Sequence, residues 1–255
     1  MTLAEFFAAR YPPESAYDWD NVGLQIGTLN KPITGVLVAL DVTKDVIDEA
    51  LACNANVIVS HHPLIFKPLR NITTDAYKGQ VIERLMKHDI ALYVAHTNYD
   101  IGDAGMNAVL ADTIGLQDAT VLDRVDETRG IGRIGRIDAM PLNDAIDTIK
   151  ARLNLRYARL ISATRHITVR TVALSGGSGT DFMTEAKRQR ADLYLTGDVT
   201  YHHAHDALQM GLAVLDIGHA TEKFFAAALA NELNEAGMAA PVHASRVDPD
   251  PFETV

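Results

Sequence analysis

Apolar residues come along this chain in short, unbroken runs separated by amphipathic stretches. Residues 35–40 (Gly-Val-Leu-Val-Ala-Leu), 56–60 and 91–95 have strand length and no polar alternation, as expected of strands buried on both faces. Between them the period lengthens. Val46, Ile47, Ala50 and Leu51 form one stripe of a helix that Thr43 caps and that ends near Ala52. Residues 78–87 and 106–114 read as two more helices. Upstream, residues 2–10 predict an amphipathic helix with Thr2 as cap and Leu3, Phe6 and Phe7 on one face. After Pro12-Pro13 a polar loop spans residues 17–23.

The second half repeats this alternation with a different opening. Residues 128–137 predict an exposed or edge strand, and Pro141 opens a helix that runs to about Leu153. Strands are expected at 169–174, 193–195, 213–217 and 242–244, with helices at 181–189, 201–209 and 221–236. The pattern predicts an α/β protein of two lobes with largely parallel sheets. Residues 118–130 are the least patterned, which places a boundary between a lobe at 1–124 and a second at 125–255, the C-terminal part being able to pack back on the first.

Composition narrows the function more than the fold. With 47% apolar and 22% charged residues, the chain of 255 has an ordinary globular make-up. A formal net charge of −10 repels phosphate backbones and argues against a nucleic-acid partner. No apolar run is long enough to span a bilayer and no leader pattern is visible, so a cytoplasmic protein without a membrane partner is expected. The single cysteine, Cys53, excludes an internal disulfide and a cysteine-based zinc cluster, and its place late in a helix suits packing.

Three predicted strand ends carry metal-competent side chains. The strand at 56–60 runs into His61-His62-Pro63, the strand at 91–95 into His96 and Asp100, and the strand at 213–217 into His219 and Glu222. Parallel sheets display ligands at the carboxyl ends of their strands. Neighbouring side chains on an extended backbone diverge, and Pro63 keeps His62 extended, so the pair suits two adjacent ions better than one. His219 and Glu222, three apart, share a helical face. Three imidazoles and two carboxylates (His61, His62, Asp100, His219 and Glu222) suit zinc, iron or manganese and are too nitrogen-rich for calcium. Five ligands exceed one tetrahedral zinc with an open position and fit two ions bridged by a carboxylate and a hydroxide, which would serve as nucleophile. His96 is a candidate proton carrier by position. The turn at 175–179 lacks the third glycine of a dinucleotide fingerprint, with Phe182 in its place, and reads as a tight strand–helix connection or a phosphate contact. His202, one turn before Asp206, and Lys67 are candidate substrate-facing groups.

These motifs together resemble the Nif-three-like dinuclear metal-centre proteins, also labelled GTP cyclohydrolase 1 type 2 homologues. The resemblance rests on Trp19-Asp20-Asn21-Val22-Gly23-Leu24-Gln25-Ile26-Gly27, Ser60-His61-His62-Pro63, His96-Thr97-Asn98-Tyr99-Asp100, Thr196-Gly197-Asp198 with Tyr201-His202, and Gly218-His219-Ala220-Thr221-Glu222. It implies a toroidal homohexamer and a two-metal site between the lobes, with ligands on His61, His62, Asp100, His219 and Glu222. Some members place the glutamate four residues after the histidine, whereas here the interval is three. The expected activity is metal-dependent hydrolysis of a small molecule, with ring opening of a nucleotide such as GTP as one candidate. The alternative is a non-enzymatic metal-binding or adaptor ring, which would hold metal without turnover.

Overall fold

A computed structural model describes residues 1–127 and 129–253. In chain order its strands are β1 (Gly23–Ile26), β2 (Val36–Ala39), β3 (Val57–Ser60), β4 (Ala91–Val94), β5 (Gln117–Arg124), β6 (Gly130–Pro141), β7 (Arg159–Ile161), β8 (Thr168–Leu174), β9 (Leu193–Thr196), β10 (Ala213–Asp216) and β11 (Val242–Ala244). The α-helices are α1 (Leu3–Arg10), α2 (Lys44–Ala52), α3 (Tyr77–Lys87), α4 (Thr97–Ile101), α5 (Met106–Ile114), α6 (Leu142–Arg152), α7 (Met183–Arg188), α8 (Tyr201–Met210) and α9 (Phe224–Glu235).

The fold is mixed α/β with two sheets. The first has the order β1-β4-β3-β2-β11, parallel throughout except for β1 at its edge. The second has the order β5-β6-β8-β9-β10-β7, with a parallel centre, β8-β9-β10, and antiparallel strands outside it. Strands β2, β3 and β4 are buried at every position, which is why their sequences are unbroken apolar runs. Leu37, Ile47, Ile58, Leu85 and Leu92 belong to the first sheet's core, and Ala173, Ala186, Tyr194 and Val214 to the second's.

By compactness the chain divides into Met1–Tyr99 with Lys223–Asp250, and Asp100–Glu222 with the tail from Pro251. Pattern alone set the boundary at 124/125. The returning segment is α9 and β11, and β11 adds to the first sheet beside β2.

The predicted caps form. Thr2 and Glu5 make a reciprocal capping box on α1, and the Thr43 hydroxyl accepts from the Val46 N–H at 3.2 Å. The strand expected at 128–137 begins on Thr128, which lies outside the described residues; its remainder is β6, and the edge assignment needs correction. β6 runs between β5 and β8, and Gly130 to Gly135 are buried. β5 covers its flank, but β5 itself (Gln-Asp-Ala-Thr-Val-Leu-Asp-Arg) buries only Leu122 and so carries no apolar signal. Arg133 disguised β6 further. Its buried guanidinium donates to the carbonyls of Gly102 at 3.1 Å, Asp103 at 3.0 Å and Gly132 at 2.9 Å. Among the described residues, no helix is long and apolar enough to cross a membrane.

Candidate metal centre

In the first unit, β3 and β4 end side by side and deliver three imidazoles. His61, fully buried, follows β3 directly, and His96 follows β4. The ring centroids lie 5.2 Å apart for His61–His62, 5.1 Å for His61–His96 and 5.9 Å for His62–His96. Each ring can offer one nitrogen to a common metal-sized space, the three nitrogens lying within 4.8 Å of one another. Phe225, centred 4.8 Å from His61, forms an apolar wall behind it. The Ser60 hydroxyl donates to the His62 carbonyl at 2.9 Å and tightens the turn between strand and histidine pair.

Each imidazole is oriented through Nδ1. His61 Nδ1 lies 2.8 Å from the Ala95 carbonyl, His62 Nδ1 2.9 Å from Asp41 Oδ1, and His96 Nδ1 2.9 Å from Asp20 Oδ2. An acceptor at Nδ1 favours the tautomer with its proton there and makes Nε2 the basic, metal-seeking nitrogen. Asp20 is more than a partner for His96. It also accepts from the Thr97 N–H at 3.1 Å and the Thr97 hydroxyl at 2.6 Å, which closes the turn into α4. Burial pushes the Asp20 carboxyl up, but the His96 hydrogen bond and charge and the Thr97 donors outweigh it and hold the group at about 2.

In the second unit three loops after parallel strands come together. Glu222, buried, lies on the 3-10 turn His219–Lys223 after β10, with its Oε2 3.2 Å from His219 Nε2. His219 Nδ1 faces Asp198 Oδ2 at 2.7 Å, so this fourth imidazole is oriented like the other three. Asp198 follows β9. The Asp216 carboxylate at the end of β10 pins the same loops, accepting from the Gly218 N–H at 3.0 Å and the Val199 N–H at 3.3 Å and pairing with Arg159. From β8 comes Gly176-Gly177, and a Cβ on Gly177 would stand 2.6 Å from Glu222 Oε1. The glycine-rich turn is therefore the floor beneath the Glu222 carboxylate. Asn107 ties it to Asp100: its amide donates to the Asp100 carbonyl at 3.3 Å and its Oδ1 accepts from the Gly176 N–H at 3.0 Å.

Of the five candidate ligands and His96, the first unit brings His61, His62 and His96 together, and the second brings His219 against Glu222, with the Asp100 backbone carbonyl linked through Asn107. Glu222 occupies a 3-10 turn rather than the first turn of the helix expected at 221–236, and the Thr221 hydroxyl donates back to the Gly218 carbonyl at 2.6 Å. The orienting residues Asp20, Asp41, Asp198 and Asn107 were not assigned roles from sequence. Asp20 and Asp198 lie in motifs already noticed, and Asp41 at a predicted strand end, so their signal was position beside a histidine-bearing strand.

The donor chemistry fits a borderline divalent metal. Among the described residues, His61, His62, His96 and His219 turn Nδ1 to an oxygen, whereas His88, His166, His202, His203, His205 and His243 make no ring hydrogen bond. That division separates the strand-end imidazoles from every other one in the chain. It is the arrangement found behind metal-bound histidines.

The family model described as Duf34/NIF3 (NGG1p interacting factor 3) matches residues 1–251. A protein of Lactococcus lactis named GTP cyclohydrolase 1 type 2 homolog is 36% identical over 243 residues, covering 94% of this chain and 93% of its own length. A namesake from Clostridium perfringens is 43% identical over 207 residues, covering 79% and 78%. A crystal structure of a Bacillus cereus protein related to NIF3 superposes with a TM-score of 0.94 at 31% identity, over 99% of this chain and 98% of that one.

Proposed function

Because the chain belongs to the Duf34/NIF3 family, we propose that it is a metal-dependent hydrolase in which His61, His62, Asp100, His219 and Glu222 hold two divalent ions. The observation that carries this reading is the Nδ1 pattern: four imidazoles, each pre-set by an oxygen acceptor to present Nε2. Zinc, iron and manganese all suit such a donor set. Ions there would acidify water and polarise a substrate oxygen. His96, backed by Asp20, is placed to hold or pass a proton at Nε2. Asp41 and Asp198 keep their imidazoles in the coordinating tautomer, and Glu222, packed on Gly177, is confined to one position.

The substrate is a small molecule. The relatives' name makes a nucleotide such as GTP the first candidate, with phosphoesters and cyclic amides as alternatives that the same chemistry would serve. We further propose a homohexameric ring and a cytoplasmic location, where a lone cysteine stays reduced.

The test is metal analysis of purified protein followed by a turnover screen over nucleotides, phosphoesters and cyclic amides. About two ions per chain and activity that disappears in Glu222→Ala support the hydrolase. Two ions with silence across the screen favour a non-enzymatic metal-binding or adaptor ring. Wild-type metal content in a His61→Ala, His62→Ala double variant would overturn the ligand assignment.

A further inference from the structure

Three large aromatic rings stand at the surface beside His96. Trp19 is 58% exposed and Phe66 41%, a costly arrangement for side chains that each bury a large apolar area when they can. Tyr17 stacks on Trp19 with ring centres 5.5 Å apart and planes 17° from parallel. Phe66 meets Trp19 edge-on at 5.8 Å, and both rings stand nearly perpendicular to the His96 imidazole, centred 6.4 Å from it.

The rings are held in place by polar contacts. Gln25 grips the backbone beside Phe66 from both sides: its Nε2 donates to the Ile65 carbonyl at 3.2 Å, and its Oε1 accepts from the Ile65 N–H at 2.9 Å. The Asn21 amide donates to the same carbonyl at 2.5 Å. On the other side, the Tyr17 N–H donates to the Thr97 hydroxyl at 3.2 Å, and that hydroxyl is in turn bound to Asp20. One polar network thus fixes His96 and the aromatic rings together. A greasy patch shaped only by collapse would not need it. Lys67, exposed and next to Phe66, adds a cation at the rim.

We propose that Trp19 and Phe66 form a stacking platform for the planar heteroaromatic ring of an anionic substrate, with Tyr17 backing Trp19 and Lys67 meeting the anion. The inference rests on the hydrolase reading above and narrows its substrate class to molecules carrying a flat ring, a nucleobase being the type case. A ring laid on Trp19 would extend the Tyr17–Trp19 stack and bring its edge toward His96.

Trp19 is the one tryptophan in the sequence, so fluorescence excited selectively at tryptophan reports this platform. Purified full-length protein is titrated with guanosine 5′-monophosphate, with nicotinamide mononucleotide and with ribose 5-phosphate, while metal content is measured on the same sample. The expected result is saturable quenching by one or both ring-bearing nucleotides and none by ribose 5-phosphate. The arm that quenches identifies a purine or a pyridine source. Phe66→Ala should weaken that binding by about 5- to 150-fold, the value of one base stacked on an aromatic side chain, with metal content unchanged. Equal responses to ribose 5-phosphate, or no quenching from a metal-replete protein, overturn the platform and leave the metal centre standing. A fluorescence change that follows protein concentration but not nucleotide also overturns it, by showing a second copy covering Trp19. Quenching by a protein that takes up no divalent metal even when supplied with it would instead sink the hydrolase and keep the platform.

Discussion

Gly177→Ala tests whether the glycine-rich turn serves the Glu222 carboxylate. Gly177 has φ +58°, and an added Cβ would lie 2.6 Å from Glu222 Oε1, 3.0 Å from Cδ and 3.1 Å from Oε2. Two costs follow. The left-handed backbone conformation penalises alanine by roughly 1–2 kcal/mol. The contact also forces the whole carboxyl group back, on the order of 0.5 Å, whereas metal–ligand distances tolerate only about 0.2 Å. Gly211 supplies a matched control. At φ +60°, capping α8, it pays the same backbone penalty, but its Cβ would meet only Lys187 Nζ at 3.7 Å. In urea unfolding, measured metal-free to remove the ligand's own contribution, Gly211→Ala should lose about 1–2 kcal/mol and Gly177→Ala at least as much. Only Gly177→Ala should lose metal affinity, by about 10- to 100-fold, the usual loss when the support of a ligand is disturbed. Competition against a chromophoric chelator reads that difference. Equal metal affinities in the two variants would refute the claim that this turn positions Glu222.

Three further outcomes are expected. Asp41→Ala removes the oxygen facing His62 Nδ1, and chelator competition should show metal affinity down about 10- to 100-fold with little change in unfolding midpoint. Burial raises the Glu232 carboxyl above its usual range, against the opposing hydrogen bonds of Tyr11 and Tyr99 and the charge of Arg10. Folded Glu232 therefore keeps its proton at a pH where the unfolded chain has lost it, so this group's contribution to stability falls as pH rises from about 4.5 through the folded pKa. Glu232→Gln should flatten that slope in urea midpoints taken across the range, and an unchanged slope would count against it. Thr43→Ala removes the cap on α2 and should cost about 1 kcal/mol in the same assay while metal content stays at the wild-type value.

Elements whose packing is written into their composition were legible from sequence. The unbroken runs of β2, β3 and β4 gave away a sheet covered on both faces, and Thr2 and Thr43 marked helix starts by their hydroxyls. Elements whose stability comes from a neighbour were not. β1 (Gly-Leu-Gln-Ile) exists because β4 offers it an edge, and it reads as loop in isolation. β5 is mostly exposed, and Arg133 hides β6 because the carbonyls of Gly102 and Asp103 that satisfy its guanidinium lie about thirty residues upstream. At the site, side-chain chemistry singled out the imidazoles of His61, His62, His96 and His219, but not the Gly177 contact with Glu222, since close approach leaves no mark in sequence beyond a glycine.

The partners of those imidazoles follow from strand order once it is known. β2 pairs with β3 so that Ala39 stands opposite Ser60. Continued two residues further, the same register sets Asp41 opposite His62, the observed pair. β3 pairs with β4 so that Ser60 stands opposite Val94, and one more step sets His61 opposite Ala95, whose carbonyl it meets. β9 and β10 end together at Thr196 and Asp216, and the loops that follow carry Asp198 and His219. His96 obeys the same logic with its sign reversed. β1 runs antiparallel to β4 with Gly23 opposite Val94, so the residue that meets the loop after β4 must precede β1, and Asp20 does. Each orienting oxygen is thus supplied by the strand next door, at the height where the sheet's own hydrogen-bond ladder stops. A backbone that has run out of ladder partners at its strand ends needs other ones, and here the Thr97 N–H finds Asp20 while the Gly218 N–H finds Asp216. Asp20 does both jobs, ending the ladder at Thr97 and aiming His96, while Asp216 ends it beside the loop whose Asp198 aims His219, so termination of the sheets and preparation of the imidazoles are one structural solution.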